Sequence, residues 1–231
     1  MSAVQRNAYL LALGLGLLYL LLLPLQPYAL SWLLKPLPML LFALLLWRAY
    51  PGAPGRWLAL GYLGAAAGDF FLDFGQRDGL FIQALLSFLV NQIAFAVAFV
   101  LLGRGQPWLR LNMLPALLYG ALLAVWMVPA AGTMKLPVAI YLASLLLMVL
   151  LACRLQARPG ALWLGVMLFM LADSLIGLNK FVMPFAYSTP IIVCLYFSGQ
   201  ALITWGLLKH AGALQPAAAP AADGQPRAAV G

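Results

Sequence analysis

The negative side-chain charge of this 231-residue sequence rests on five aspartates and no glutamate: Asp69, Asp73, Asp78, Asp173 and Asp223. Asp69 and Asp173 each fall inside a long apolar run, where an ionisable group is costly and marks a functional interior by default. Asp73 follows Asp69 by four residues, a spacing that sets both carboxylates on one face of a helix. Asp78 is expected in a loop beside Arg77, and Asp223 in the C-terminal tail. The only histidine, His210, lies just past the last apolar run, which argues against a His-ligated zinc or iron centre and against a Ser-His-Asp triad. Cys153 and Cys194 sit in apolar segments and read as packing residues. No nucleotide-binding glycine pattern appears in a strand–helix context. Chemistry in this chain is therefore expected to work through aspartates, with no metal and no cofactor.

The elements that must position these groups are membrane helices. Hydrophobic residues make up 65% of the chain and charged ones 8%, against about 25% charged residues in a soluble domain. A bilayer-spanning helix needs about 20 mostly apolar residues, and Pro, Gly and basic residues punctuate the chain into eight such runs, near 7–23, 29–47, 57–74, 80–102, 112–129, 136–153, 161–179 and 188–208. The first run could be mistaken for a secretory signal, but it lacks a convincing cleavage site and is followed by seven more. The expected architecture is all-α, one eight-helix transmembrane domain over residues 1–210 followed by a disordered cytosolic tail over 211–231. The second run is broken by Lys35-Pro36-Leu37-Pro38, and proline removes an amide donor and kinks a helix. A membrane tolerates that where protein surrounds the break.

Orientation follows from the basic residues on alternate sides. With the N-terminus inside, Arg6, Arg48, Arg56, Arg104, Arg110, Arg154, Arg158 and Lys209 face the cytosol, while only Arg77, Lys135 and Lys180 lie outside. Both termini are then cytoplasmic. The same threading sets Asp69, Asp173 and Lys35 at a similar depth in the outer half of the membrane, with Gln92 and Gln200 nearer its middle and Asn179 and Lys180 at the outer end of helix seven. The net charge of +8 is scattered between apolar runs, so no nucleic-acid partner is implied. The partner is the bilayer.

Some of these polar groups have a plainer explanation. Gln92, Ser174, Asn179 and Gln200 are residue types that tie membrane helices together by hydrogen bonds, and an ion pair of Lys35 with either aspartate could be structural. Asp73 could face interfacial water. Two aspartates at matched depth favour function. Short matches are compatible with two parallel four-helix halves, though such matches arise easily in low-complexity apolar sequence: Gly61 to Asp69 recurs as Gly165 to Asp173, Phe88-x-x-x-Gln92 as Tyr196-x-x-x-Gln200, and Lys35-Pro36 faces a looser Lys135-Leu136-Pro137.

At these positions the sequence resembles the YhhN family of membrane proteins, the lysoplasmalogenase group. The resemblance is carried by Lys35-Pro36, Gly68-Asp69, Phe88-Leu89-Val90-Asn91-Gln92, Ala172-Asp173-Ser174-Leu175 running to Asn179-Lys180-Phe181, and Tyr196 to Gln200, and it covers about residues 10–208. Gln92 stands where the family pattern has a histidine, which implies a positioning role rather than proton transfer. The resemblance implies a hydrolase that cleaves the vinyl-ether bond of a lysophospholipid, the lysoplasmalogen, giving a fatty aldehyde and glycerophospho-ethanolamine or glycerophosphocholine. Such a reaction begins by protonating the enol-ether carbon and needs one protonated and one ionised carboxyl, as in glycosidases. Burial favours the neutral form and a nearby ammonium the charged one. Asp69 and Asp173 are the expected pair, with Lys35, Asp73, Gln92, Ser174, Asn179, Lys180, Tyr196 and Gln200 binding or orienting substrate. The competing reading is a transporter or a lipid-binding or lipid-translocating protein that uses the same Asp and Lys cluster. An Ala, Leu, Gly and Arg-rich chain with short loops points to a bacterial inner membrane; the oligomeric state is not indicated.

Overall fold

A computed structural model of the protein describes residues 2–28, 30–75, 79–156 and 160–214. Arg77, Asp78, Arg158, Asp223 and residues 215–231 of the expected tail lie outside the described residues. The helices in chain order are α1 (Ala3–Leu22), α2 (Ser31–Leu34), α3 (Leu37–Ala49), α4 (Ala53–Phe74), α5 (Phe81–Leu102), α6 (Leu114–Ala130), α7 (Lys135–Cys153), α8 (Ala161–Gly177) and α9 (Ser188–Leu214). A π-helical turn, Leu178–Val182, extends α8, and among the described residues there is no strand. The short α2 and the longer α3 are the two sides of the expected break, which falls at Lys35 and Pro36. Helix α9 continues four residues beyond the expected domain boundary at 210.

Among the described residues seven segments are long and apolar enough to cross a bilayer, so the chain is an integral membrane protein. The helix that sets this number apart from the expected eight is α4. Its 22 residues include Arg56, Asp69, Asp73 and four glycines, a composition too polar and too small-chained to match the other seven.

Those glycines have a packing role. Lipid tails are as apolar as leucine, so membrane helices associate through close van der Waals fit and small residues rather than by burying apolar surface. A Cβ on Gly64 of α4 would stand 2.8 Å from the Ser87 carbonyl oxygen and 2.9 Å from the Asn91 amide of α5. The Asn91 side-chain amide donates across the same seam to the Gly61 carbonyl at 2.9 Å. Helices α8 and α9 repeat the device, with a Cβ on Gly165 falling 2.6 Å from the Ile203 amide and one on Gly206 falling 2.5 Å from the Leu162 amide. Each pair thus packs backbone against backbone.

Tyrosines lace α1, α3 and α4 to α9. Tyr9 of α1 donates to the Ala201 carbonyl at 3.0 Å, Tyr50 after α3 to Leu207 at 2.7 Å, and Tyr62 of α4 to Gln200 at 3.1 Å. Near the end of the bundle remote from Lys35, the buried Arg154 guanidinium donates to the carbonyls of Gly103, Gln106 and Pro107 and lies 3.6 Å over the Trp108 ring. It acts as a hub for loop carbonyls that have no helical partner.

These seams make a direct prediction. Gly206→Ala forces α8 and α9 apart and is expected to cost about 1–3 kcal/mol, lowering the thermal unfolding temperature in detergent. Gly14→Ala, where nothing lies within 4 Å of the added methyl, is expected to leave that temperature unchanged.

Candidate functional site

Asp69 lies on α4 and Asp173 on α8, one in each tight helix pair, and both are almost fully buried, 1% and 7% exposed. Each is held by donors from other helices. Lys35 Nζ, at the break between α2 and α3, stands 3.5 Å from Asp69 Oδ1, and the Tyr196 hydroxyl of α9 donates to Asp69 Oδ2 at 2.8 Å. The proline break thus ends α2 at a buried cation instead of carrying an apolar helix past it. Of the two ion pairs left open by the sequence, Lys35 makes the one with Asp69.

Asp173 Oδ2 accepts from the Tyr141 hydroxyl of α7 at 2.6 Å and from Gln92 Nε2 of α5 at 3.0 Å. Gln92 is fixed in turn by Ser144 of α7, whose hydroxyl donates to Gln92 Oε1 and to the Tyr141 carbonyl. With both polar ends engaged, Gln92 acts as a spacer between Ser144 and Asp173. Both donors to Asp173 converge on a single carboxyl oxygen.

Three spaces that share wall residues lie here. The first is a chamber with accessible space of about 30 Å³, walled by both aspartates with Lys35, Phe88 and Tyr196, room enough for a water molecule. Beside it lies a wider cavity of about 440 Å³ lined by Tyr19, Lys35, Asp73, Asn179, Lys180, Ser188 and Thr189. The third is a narrow apolar cleft of about 40 Å³ between α5, α6, α7 and α8, lined by Phe81, Phe88, Met127, Leu142, Leu145 and Phe181, with Asp173 and Ser174 in its wall. Leu72 and Ile176 belong to the walls of all three. The chamber is the junction between a polar space and an apolar one.

The other expected residues fall as follows. Asp73 lies in the wall of the polar cavity, its Oδ1 accepting from Tyr19 at 2.7 Å and from Gln26 Nε2 at 3.0 Å. Asn179 and Lys180 sit on the π-helical turn, a distortion frequent at functional sites. Asn179 Oδ1 accepts the Phe185 amide at 3.1 Å, and the Lys180 ammonium lies 4.3 Å over the Phe81 ring. Ser174 shares a hydrogen bond with Tyr119 of α6 at 2.6 Å. Gln200 is the outlier. It is fully buried one turn beyond Tyr196, neither end of its side chain has a described partner, and it is absent from the walls of all three spaces.

Tyr19, Gln26, Tyr141 and Ser144 escaped the reading of the sequence. Within apolar runs a tyrosine or serine reads as packing, and only contact with a carboxylate reveals another use. A double-mutant cycle tests how far the buried charges depend on one another. Lys35→Met strands the Asp69 carboxylate and is expected to cost about 3–5 kcal/mol; adding Asp69→Asn recovers most of that loss. Thermal unfolding of the four proteins in detergent measures the coupling.

The family model described as the YhhN family matches residues 30–207. The chain is 30% identical over 188 residues to "Lysoplasmalogenase TMEM86B" of Rattus norvegicus, covering 81% of this chain and 77% of the rat protein. It is 30% identical over 180 residues to "Lysoplasmalogenase" of Mycobacterium tuberculosis, covering 74% and 68%. With "Lysoplasmalogenase TMEM86A" of Bos taurus it shares 31% identity over 152 residues, a match that spans 62% of each chain. No solved structure matches the chain.

Proposed function

The chain belongs to the YhhN family, and on that premise we propose that it hydrolyses the vinyl-ether bond of lysoplasmalogens, releasing a fatty aldehyde and a glycerophospho-alcohol. The observation that carries this reading is the chamber in which Asp69 and Asp173 share a wall at the junction of polar and apolar spaces. A lysophospholipid with its head in the polar cavity and its alkenyl chain in the apolar cleft brings the vinyl ether to that junction.

The two aspartates then divide the work. Asp69, facing the Lys35 ammonium, is the carboxylate, and Asp173 is the acid. Asp173 gives its proton to the enol-ether carbon, leaving an oxocarbenium ion that the adjacent carboxylates stabilise. Water adds to that ion as Asp69 takes its proton, and a hemiacetal results. As the hemiacetal collapses, its hydroxyl proton returns to Asp173 while Asp69 protonates the departing glycerol oxygen. Both groups are restored and no metal is required. Tyr141 and Gln92 hold Asp173 in place. Lys180 and Asn179 bind the head group, and Gln200, outside the three spaces, packs.

The topology completes the reading. The 22 residues of α4, about 33 Å at 1.5 Å per residue, are long enough for an eighth crossing. Eight crossings with the basic residues split eight to three support cytosolic termini and a site in the outer half of the bilayer, and the composition supports a bacterial inner membrane. Two parallel four-helix halves are supported by the α4–α5 and α8–α9 seams and by the exchange of donors between them, Tyr196 of α9 serving Asp69 and Gln92 of α5 serving Asp173.

Purified protein in detergent is expected to release aldehyde from lysoplasmalogen and to leave the ester and alkyl-ether analogues intact; turnover without a sealed vesicle also separates hydrolysis from transport. Asp69→Asn and Asp173→Asn should each lower kcat by at least about 100-fold while the protein stays folded. Because a proton moves to carbon in the first step, kcat is expected to fall in D2O. A folded variant with unimpaired turnover would remove the mechanism.

A further inference from the structure

The apolar cleft is too small for the chain it would hold. Its accessible space of about 40 Å³ takes about three or four groups the size of a water or a methylene, whereas the hydrocarbon chain of a membrane lysolipid is on the order of one leaflet long, about 15 Å. Most of the chain must therefore lie outside the cleft. On one side the cleft shares Leu72, Phe81 and Ile176 with the polar cavity, and that side belongs to the head group. The chain needs another way out.

Helix α6 offers it. Among the residues that line the cleft, α5, α7 and α8 supply four each and α6 supplies Met127 alone. Met127 is buried, while Val125 and Trp126 just before it are 69% and 60% exposed, so α6 has the cleft on one side and the bilayer on the other. Across the seam, Met127 lies on Gly177 of α8: a Cβ on Gly177 would run into the methionine sulfur and stand 3.4 Å from its Cε. Such a contact can open, because a methionine side chain is unbranched and adaptable and a glycine offers nothing to hold it. The helix is also loosened there. Pro129 has no amide hydrogen, so the Val125 carbonyl lacks its helical donor. About two turns earlier the same seam is fastened, where Tyr119 and Ser174 share a hydrogen bond at 2.6 Å. A roomier apolar groove, with accessible space of about 360 Å³, runs between α1, α3 and α9 past Leu17, Phe42 and Phe197, but it shares no wall residue with the cleft or the chamber.

We propose that Met127, seated on Gly177, closes a lateral passage between α6 and α8 through which the hydrocarbon chain of the substrate leaves the cleft for the bilayer, so that the protein grips the first few carbons beside the reacting bond and leaves the rest in lipid. The assignment rests on the lysolipid reading given above and adds which part of the chain is recognised. Carbons that stay in lipid gain nothing from the protein, because lipid tails are as apolar as leucine. The passage therefore makes the protein indifferent to how the chain ends and sensitive to what stands at position 127.

Binding decides this independently of turnover. Calorimetry on the full-length protein in detergent compares uncleavable alkyl-ether lysolipids that share one head group and differ in the chain: about four carbons, which the cleft holds whole; about 16 carbons, on the order of a leaflet; and the same long chain ending in a pyrene. The wild-type chain is expected to bind the pyrene-ended lipid within about twofold of the plain long-chain lipid, since a chain end in apolar solvent meets no wall. Met127→Trp, which fills the seam, is expected to weaken the long-chain lipid at least about tenfold, the scale of about two methylenes left unburied, and the short-chain lipid by less than about twofold, because that chain never reaches the seam. Leu17→Trp, in the separate groove, is expected to alter neither.

Rejection of the pyrene-ended lipid by the wild-type chain overturns the proposal, and this comparison needs no variant. A folded Met127→Trp that weakens long and short chains alike, or weakens neither, overturns it as well, and so does a Leu17→Trp that shows the long-chain loss instead. Absence of vinyl-ether cleavage with the chain-length difference intact overturns the hydrolase reading and leaves the passage standing. Binding of none of the three lipids overturns both.

Discussion

A carboxylate removed from water has to find its donors inside the protein, and in a bundle of apolar helices donors are few. Two buried aspartates therefore dictate much of what surrounds them. Asp69 draws a lysine to the end of a four-residue helix and a tyrosine hydroxyl from the last helix; Asp173 draws a tyrosine and a glutamine from two others. Six helices are thereby committed to one small chamber. The glycine seams serve the same constraint, because a hydrogen bond of 2.6–3.0 Å spanning two helices survives only if the helices cannot slide.

The arrangement also separates holding from reacting. Tyr141, Gln92 and Ser144 form a chain in which each polar group is engaged by its neighbour, and that chain ends on one oxygen of Asp173. Lys35 and Tyr196 address opposite oxygens of Asp69. The two carboxyl groups, identical in type, thus sit in different electrostatic surroundings, one beside a full positive charge and the other among neutral dipoles. Such a difference is what lets a pair of carboxyls take unlike roles at one pH.

Much of this was legible in the sequence, for identifiable reasons. Charged residues are so rare in apolar spans that Asp69, Asp173 and Lys35 stand out, and proline marks the helix break without ambiguity. Depth along each helix follows from simple counting, which sets Asp69, Asp173 and Lys35 at one level and Asn179 and Lys180 at the outer end of their helix; Lys35, Asn179 and Lys180 line one cavity. Azimuth does not follow from counting. Gln200, one turn from Tyr196, was read with the site yet lies outside its walls. Tyr141 and Tyr19 were passed over because a phenol is both an apolar body and a polar tip, and composition registers only the first. Helix α4 shows the opposite difficulty: its glycines and aspartates, which build the seam and the chamber, are what make it look least like a membrane helix.

The meeting of the three spaces at Leu72 and Ile176 has a consequence for how a reaction there would end. A bond cut at such a junction yields one fragment whose solvent is lipid and one whose solvent is water. Neither has reason to cross to the other's side, and each departs down its own gradient of solubility. Cleavage itself would then sort the products, and turnover would need no lid to expel them.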